Sequence, residues 1–520
     1  MRPLSEIRMC CVVAALMLLS TVQGAAQATR VVCFPGNKAA GVNPDTHLVL
    51  TFGSAVTLGK SGLIRIYDAA GHSLVDTLDM SIPAGPDPAH RISSPPAQAI
   101  DPSPATPTTT TPAVRTTPAD LHTYQLTTIG GLADFHFYPV IVHGNVATIY
   151  PHNGVLSCHH TYIVRIDPGI LTPASGAFAG FTTDAGWSFS TKAAPPAANA
   201  TRVVVAADGS GDFNTVQGAV DFVPASHPQR VTIFIKNGTY EEIVFFRDKA
   251  DLTFLGEDRD KVQVGYGNNS AFNPPMPGPS RRCAFSVYHS TGIELSNFSV
   301  SNYAYGQAEG LLIYGSKNIV SHVNIKGSGD ALNLRGSVYL TDSRIIGDGD
   351  TILGVGPAFF NHCEIQSLGP YMWIRNTDAN HGNVFVNCTF LTRERPAPRA
   401  GAAGTAATGQ GGAPARAPMM GVLARLPNNH GLNYPYAEAV LINCHLKGIP
   451  PVGWGPIEAD TAHLHLWEFN STDLDGHPID TSQRQPASKQ LILPQDAAMI
   501  ADYSNPAFVL GGWTPSLAGK

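Results

Sequence analysis

A short motif recurs through the second half of this 520-residue chain, and it limits the fold more than any other feature. Glu294-Leu295-Ser296-Asn297-Phe298-Ser299-Val300 is echoed by Val320-Ser321-His322-Val323-Asn324-Ile325, Leu340-Thr341-Asp342-Ser343-Arg344-Ile345 and Phe360-Asn361-His362-Cys363-Glu364-Ile365. Val386-Asn387-Cys388-Thr389-Phe390 and Ile442-Asn443-Cys444-His445-Leu446 continue it. The closing apolar residues fall at 300, 325, 345, 365, 390 and 446, in steps of 25, 20, 20, 25 and 56. One strand triplet per turn of this length is the signature of a parallel β-solenoid, in which each coil buries its apolar positions against the next. The long step holds the Gly/Ala/Pro-rich stretch 393–418, which reads as a flexible excursion. Ser343, Cys363, Cys388 and Cys444 share one column and read as small inward groups, since free Cys packs as a small hydrophobe.

A solenoid needs capped ends. Val216, Ala219, Val220 and Val223 lie at helical spacing, with Asn214 or Thr215 ahead to cap and Pro224 behind to stop. A short helix over the first coil is expected. Gly209-Ser210-Gly211 just before it lacks the third glycine and the βαβ setting of a dinucleotide loop.

The segment 29–196 has a different period. His47–Phe52, Leu63–Tyr67, Tyr162–Ile166 and Trp187–Ser190 place apolar residues at alternate positions, as half-buried antiparallel strands of a sandwich do. It resembles the Ig-like modules attached to bacterial secreted enzymes. Within it, 95–118 is rich in Pro, Thr and Ala and reads as a disordered insertion. Cys33 and Cys158, near the two ends of this segment, are placed so that a disulfide would close it. Residues 1–28 read as a signal peptide: Arg2 and Arg8 precede the apolar run 9–19, and small residues near Ala26 and Ala28 suit cleavage. Export, without a membrane span, is the expectation. The fold expected is thus all-β, a right-handed parallel β-helix over 201–518 preceded by the sandwich.

With 33 Lys and Arg against 39 Asp and Glu, the net charge is −6, which argues against nucleic acid or an anionic membrane as partner. The chemistry comes from a column. Asp330 follows Ile325 by five residues and Asp350 follows Ile345 by five, so the two should sit one coil apart. Neighbouring strands are about 4.8 Å apart. Two carboxylates that close cannot ionise equally, and one becomes a base or nucleophile while the other keeps a proton. Singly, either Asp is also at home in a Gly-Asp turn. His463-Leu464-His465 would put two imidazoles on one strand face, but no third metal ligand accompanies them, so surface or packing roles are favoured. Arg281-Arg282 reads as a solvated loop.

The order of motifs in the second half resembles pectin methylesterases. Gly209 to Gln217, Gly238-Thr239-Tyr240-Glu241-Glu242 and Leu255-Gly256-Glu257-Asp258 follow that family's sequence. Gln307-Ala308-Glu309-Gly310-Leu311 resembles its first glutamine motif, Gly327 to Leu332 its Gln-Asp-Thr-Leu motif, and Gly347 to Gly354 its second aspartate motif. Leu423-Ala424-Arg425-Leu426-Pro427, Gly453-Trp454 and Trp467-Glu468-Phe469-Asn470 are similar to later landmarks. The resemblance implies Asp350 as nucleophile, Asp330 as general acid/base, Arg425 orienting Asp350, and Gln307 assisting the oxyanion. It implies no metal or organic cofactor, and pectin as substrate for a secreted monomer. Gly329 stands where the family has a glutamine, so one oxyanion donor is missing. Thr351 and Leu353 replace family aromatics, and Tyr240, Trp373 and Trp454, with Tyr371, are the candidate sugar contacts. An esterase for a different ester, a binding-only homologue and a metal-dependent lyase are the alternatives.

Overall fold

A computed structural model describes residues 31–87, 123–394, 421–427, 434–458 and 460–517. From Arg202 the chain winds into coils whose strands build three parallel sheets. The first sheet has eleven strands, from Arg202–Val205 to Lys489–Gln490. The second has eight, from Gly238–Glu241 to His445–Lys447, and the third has seven, from Val244–Arg247 to Ala424–Arg425. This is the parallel β-helix that the repeat predicts. Ile325, Ile345, Ile365, Phe390 and Leu446 pair in register along the second sheet and lie in the core.

The motif has a backbone cause. Between the first and second sheets the six coils that carry the motif each turn at one left-handed residue: Asn297, His322, Asp342, His362, Asn387 and Asn443, with φ of 51–62°. Asn, Asp and His tolerate that region better than other side chains. The next residue points inward and forms the column of Ser343, Cys363, Cys388 and Cys444. There the Cys363 N–H lies 3.4 Å from Cys388 Sγ. All six described cysteines are free thiols. Cys33 and Cys158 therefore do not close the N-terminal segment.

The expected cap is a helix over Val216–Phe222. Thr215 is its N-cap, and its Oγ1 accepts from the Gly218 N–H at 2.9 Å. Two carboxylates complete this end. Glu242 accepts from the N–H groups of Val216 and Gln217 at 2.8 and 2.9 Å, and Asp45 accepts from those of Asn214 and Thr215 at 2.9 and 2.8 Å. Burial pushes the Glu242 carboxyl up to about 8, well above its usual range, although the two N–H donors pull it down. The folded protein thus holds a proton there that the unfolded chain has released. Stability contributed by that proton is full below about 4.5 and is lost as pH rises towards 8. Glu242→Gln cannot ionise, so its stability relative to wild type should climb between pH 5 and 8, by at most about 1.4 kcal/mol per pH unit. Urea unfolding at the two pH values checks this, and parallel curves for both proteins would refute it.

The segment ahead of the solenoid forms a four-stranded and a five-stranded sheet face to face. Leu48, Leu50, Ile66, Ile149, Val164, Trp187 and Phe189 fill the space between them. One pairing departs from the all-antiparallel expectation: Ala39–Val42 runs parallel to Ser188–Thr191. The sandwich is also more than a tethered neighbour. Phe135 packs on Phe245, Tyr138 stacks on Phe272 at 4.6 Å, and Asp45 caps the solenoid helix. At the other end, helices Ala497–Tyr503 and Pro506–Val509 cover Phe359, Val384 and Val440 on the outer face of the first sheet. The expected signal peptide, the insertion at 95–118 and nearly all of the excursion at 393–418 lie outside the described residues. No helix among the described residues is long and apolar enough to cross a membrane.

Candidate active site

Asp330 and Asp350 each stand two residues ahead of a paired strand residue, Leu332 and Ile352, so the two carboxyls occupy equivalent places on successive coils. Asp350 has φ of 44°, in the left-handed region, at the entry to the third sheet. Arg425 reaches it from the last strand of that sheet. Its Nε donates to Asp350 Oδ1 at 2.7 Å and its Nη2 to Oδ2, a bidentate pair. Burial disfavours the Arg425 cation, but the hydrogen bond to Asp350 and its charge outweigh this and raise the guanidinium above its usual value. The pair fixes the orientation of the Asp350 carboxyl.

Asp330 sits in a different field. It is 8% exposed. Burial first, then the Glu309 carboxylate, push its carboxyl up to about 7; Arg282 pulls it down and Asp350 pushes it up again. Arg282 organises this half of the site. Its Nε donates to both Glu309 oxygens at 2.8 and 2.7 Å, its Nη2 also reaches Glu309, and the same Nη2 lies 3.4 Å from Asp330 Oδ2. Its Nη1 donates to Gln307 Oε1 at 3.1 Å. With the carbonyl so held, the Gln307 amide hydrogens are free to serve an oxyanion.

Arg281-Arg282 is therefore no solvated loop. Arg281 is buried and donates to the Ala133 carbonyl of the sandwich at 3.0 Å. Arg282 was legible only through Glu309: a carboxylate inside a core motif demands a cation, yet nothing in the local sequence says which one supplies it.

The expected sugar contacts separate. Trp373 is partly exposed in the column that pairs Leu353 with Trp373 and Trp373 with Arg425, so it belongs to the site. The guanidinium carbons of Arg375 and Arg425 lie 4.8 and 5.0 Å from its ring centroid. Tyr240 is buried in the early coils with its hydroxyl donated to the Lys236 carbonyl at 2.7 Å, and Trp454 is 0% exposed with its Nε1 donating to Glu468 at 3.1 Å. Tyr371 is buried too. None of these three offers a face to a sugar, because their positions serve the core. His463 and His465 form no metal pair: the first stacks on Tyr436, and the second hydrogen-bonds Glu438 at 2.7 Å.

Gly329 has φ of +67°, and a Cβ there would lie 2.5 Å from the Gly306 carbonyl oxygen. A side chain here would run into the Gly306 backbone. Gly329→Gln should therefore lower kcat/KM and weaken the fold by about 1–2 kcal/mol rather than repair an oxyanion hole. Ester hydrolysis and melting curves measured side by side check this, and a rise in kcat at unchanged stability would refute it.

Three parallel sheets closed into a helix, with a bidentate Arg–Asp pair one coil from a second, proton-holding Asp, define a β-helix protein built for carboxylate chemistry. The family model for pectinesterase matches residues 202–396. The pectinesterase QRT1 of Arabidopsis thaliana is 32% identical over 317 residues, covering 57% of this chain and 75% of that one. The chain belongs to the pectinesterase family. Probable pectinesterase 30 of Arabidopsis thaliana is 29% identical over 201 residues, covering 36% of this chain and 40% of that one. The chain spans about a third to two fifths of the length of the first curated relatives it matches. Among solved structures it is similar to the pectin methylesterase from carrot, with a TM-score of 0.47 and 21% identity over 62% of this chain and 95% of that one.

Proposed function

We propose that this protein hydrolyses methyl esters of polygalacturonate to carboxylates and methanol. The observation that carries the proposal is the division of labour between two adjacent aspartates, one clamped by Arg425 and one raised to about 7. The Asp350 carboxylate attacks the ester carbonyl, and the oxyanion is met by the Gln307 amide. The C–OCH₃ bond breaks as Asp330 gives its proton to the departing oxygen, leaving an acyl-enzyme anhydride and methanol. Asp330, now ionised, takes a proton from water. The resulting hydroxide equivalent attacks the sugar acyl carbon, and the Asp350 carboxylate leaves. Trp373 lies where a sugar residue beside the ester would pass.

The division proposed for the chain is a sandwich unit within 29–196 and a catalytic solenoid within 201–518. The signal-like residues 1–28 support export.

The acid role of Asp330 sets a pH limb. Because its carboxyl must enter the reaction protonated, kcat/KM for methanol release from methylated pectin should fall as pH rises through about 7. A profile flat from pH 6 to 9 would remove Asp330 from the acid role. Release of acetate instead of methanol from a pectin bearing both esters would favour the reading of a different ester, which the loss of two family aromatics at Thr351 and Leu353 keeps in view.

A further inference from the structure

We propose that Arg335 and Arg375 form a subsite for the free carboxylate of an acidic sugar residue next to the ester under attack. The proposal rests on the reading of this site as a polygalacturonate esterase and names which neighbour the enzyme selects. Leu334, Gly354 and Ile374 pair in successive coils of the third sheet, with Leu334 and Ile374 in the core. The following residues, Arg335, Val355 and Arg375, therefore lie on the outer face, because side chains alternate along a strand. Two guanidiniums flank one small apolar residue.

Neither is in contact with an anion among the described residues, although the Asp330 carboxyl acts on Arg375 at longer range. Arg375 is 7% exposed, and its Nε and Nη2 make no hydrogen bond; Arg335 Nε is likewise buried and unpartnered. No ion pair to either is found among the described residues. The adjacent outward column holds two more unmet groups, Asn333 Oδ1 and Trp373 Nε1. A buried cation next to another cation is costly unless a ligand neutralises it. The strain shows in Arg375, whose pKa is pushed down to about 10 by burial and by Arg335. A carboxylate meets both needs, since it accepts a bidentate pair of N–H donors and cancels charge.

The place fits a chain substrate. The Arg375 guanidinium and that of Arg425, which holds Asp350, both lie against the Trp373 ring. On the other side Tyr314 pairs in register with Arg335 and packs edge-on against Tyr288 at 5.0 Å. These half-buried rings offer apolar faces to further sugar rings. The outer face of the third sheet thus reads as aromatic pair, arginine pair, Trp373 and then the reacting carboxylates.

Calorimetric titration of the full chain with hexagalacturonate, which carries no ester and cannot turn over, tests this. Arg375→Gln and Arg335→Gln should each weaken binding by about tenfold or more, while Arg344→Gln, on the second sheet and paired with Glu364, should leave it unchanged. The KM for a fully methylated hexamer should move less than about twofold in both variants, since a neutral residue gives the arginines no charge to bind. If Arg375→Gln does not fold, the half-buried Arg335→Gln carries the test alone. Equal affinity for the acidic oligomer in wild type and a folded variant overturns the proposal, as does an equal loss for the methylated one. Absence of methanol release by wild type would overturn the esterase reading instead, and the titration would still report on the subsite.

Discussion

Asp350→Asn should cut methanol release by about a thousandfold or more while leaving the protein folded. The amide has no anionic oxygen to attack a carbonyl, so the acyl-enzyme cannot form. It also breaks the clamp: one oxygen can still accept from Arg425, but the new NH₂ faces a guanidinium N–H. Because Asp350 and Arg425 are partly solvated at the mouth of the third sheet, the fold should lose little. Polysaccharide affinity should change by less than about threefold, since the proposed binding face lies along Trp373 and the outer columns rather than on the nucleophile. A residual rate within about tenfold of wild type would mean that another group attacks the ester.

Arg282→Met should be the most destabilising single change in the site. Glu309 is 0% exposed and Arg282 supplies its only cation among the described contacts. Removing one partner of a buried pair strands the other charge at a cost of about 3–5 kcal/mol. Asp330 also loses the one nearby charge that pulls its carboxyl down most, so its pKa should climb further above 7. Pairing the change with Glu309→Gln should recover much of the stability, because the stranded charge is gone. It should not recover activity, since Gln307 still lacks the Arg282 donor that fixes its carbonyl. Urea unfolding and methanol release on both variants separate these effects. A single variant as stable as wild type would contradict the buried-pair account.

Much of this was legible in the chain. The repeat spacing carries the fold because each coil bearing the motif needs one left-handed residue followed by one inward residue at fixed places, and Asn443-Cys444 or His362-Cys363 states both needs locally. The Asp330–Asp350 pairing follows from the same frame, since a coil of twenty residues puts equal offsets on one column. What was not legible depends on contacts between coils or between units. Arg282 and Glu309 are 27 residues apart, and nothing local to Arg282 says that it answers the carboxylate. Tyr240 and Trp454 have the composition of sugar contacts, and only their burial shows that they serve the core. Gly329 marks a missing side chain in the sequence, whereas only the structure shows its positive φ and the closeness of the Gly306 carbonyl. The seam between sandwich and solenoid, with Asp45 capping a helix 170 residues later, leaves no local trace.

The paired aspartates are proposed to remove methyl groups from polygalacturonate. Counting methanol and newly formed carboxylates together, as the purified full chain acts on highly methylated pectin at pH 6, tests it most directly. Both products should form in equal amounts with the wild-type protein, and neither with Asp350→Asn at the same concentration. New acid without methanol, or equal release by the two proteins, would contradict it.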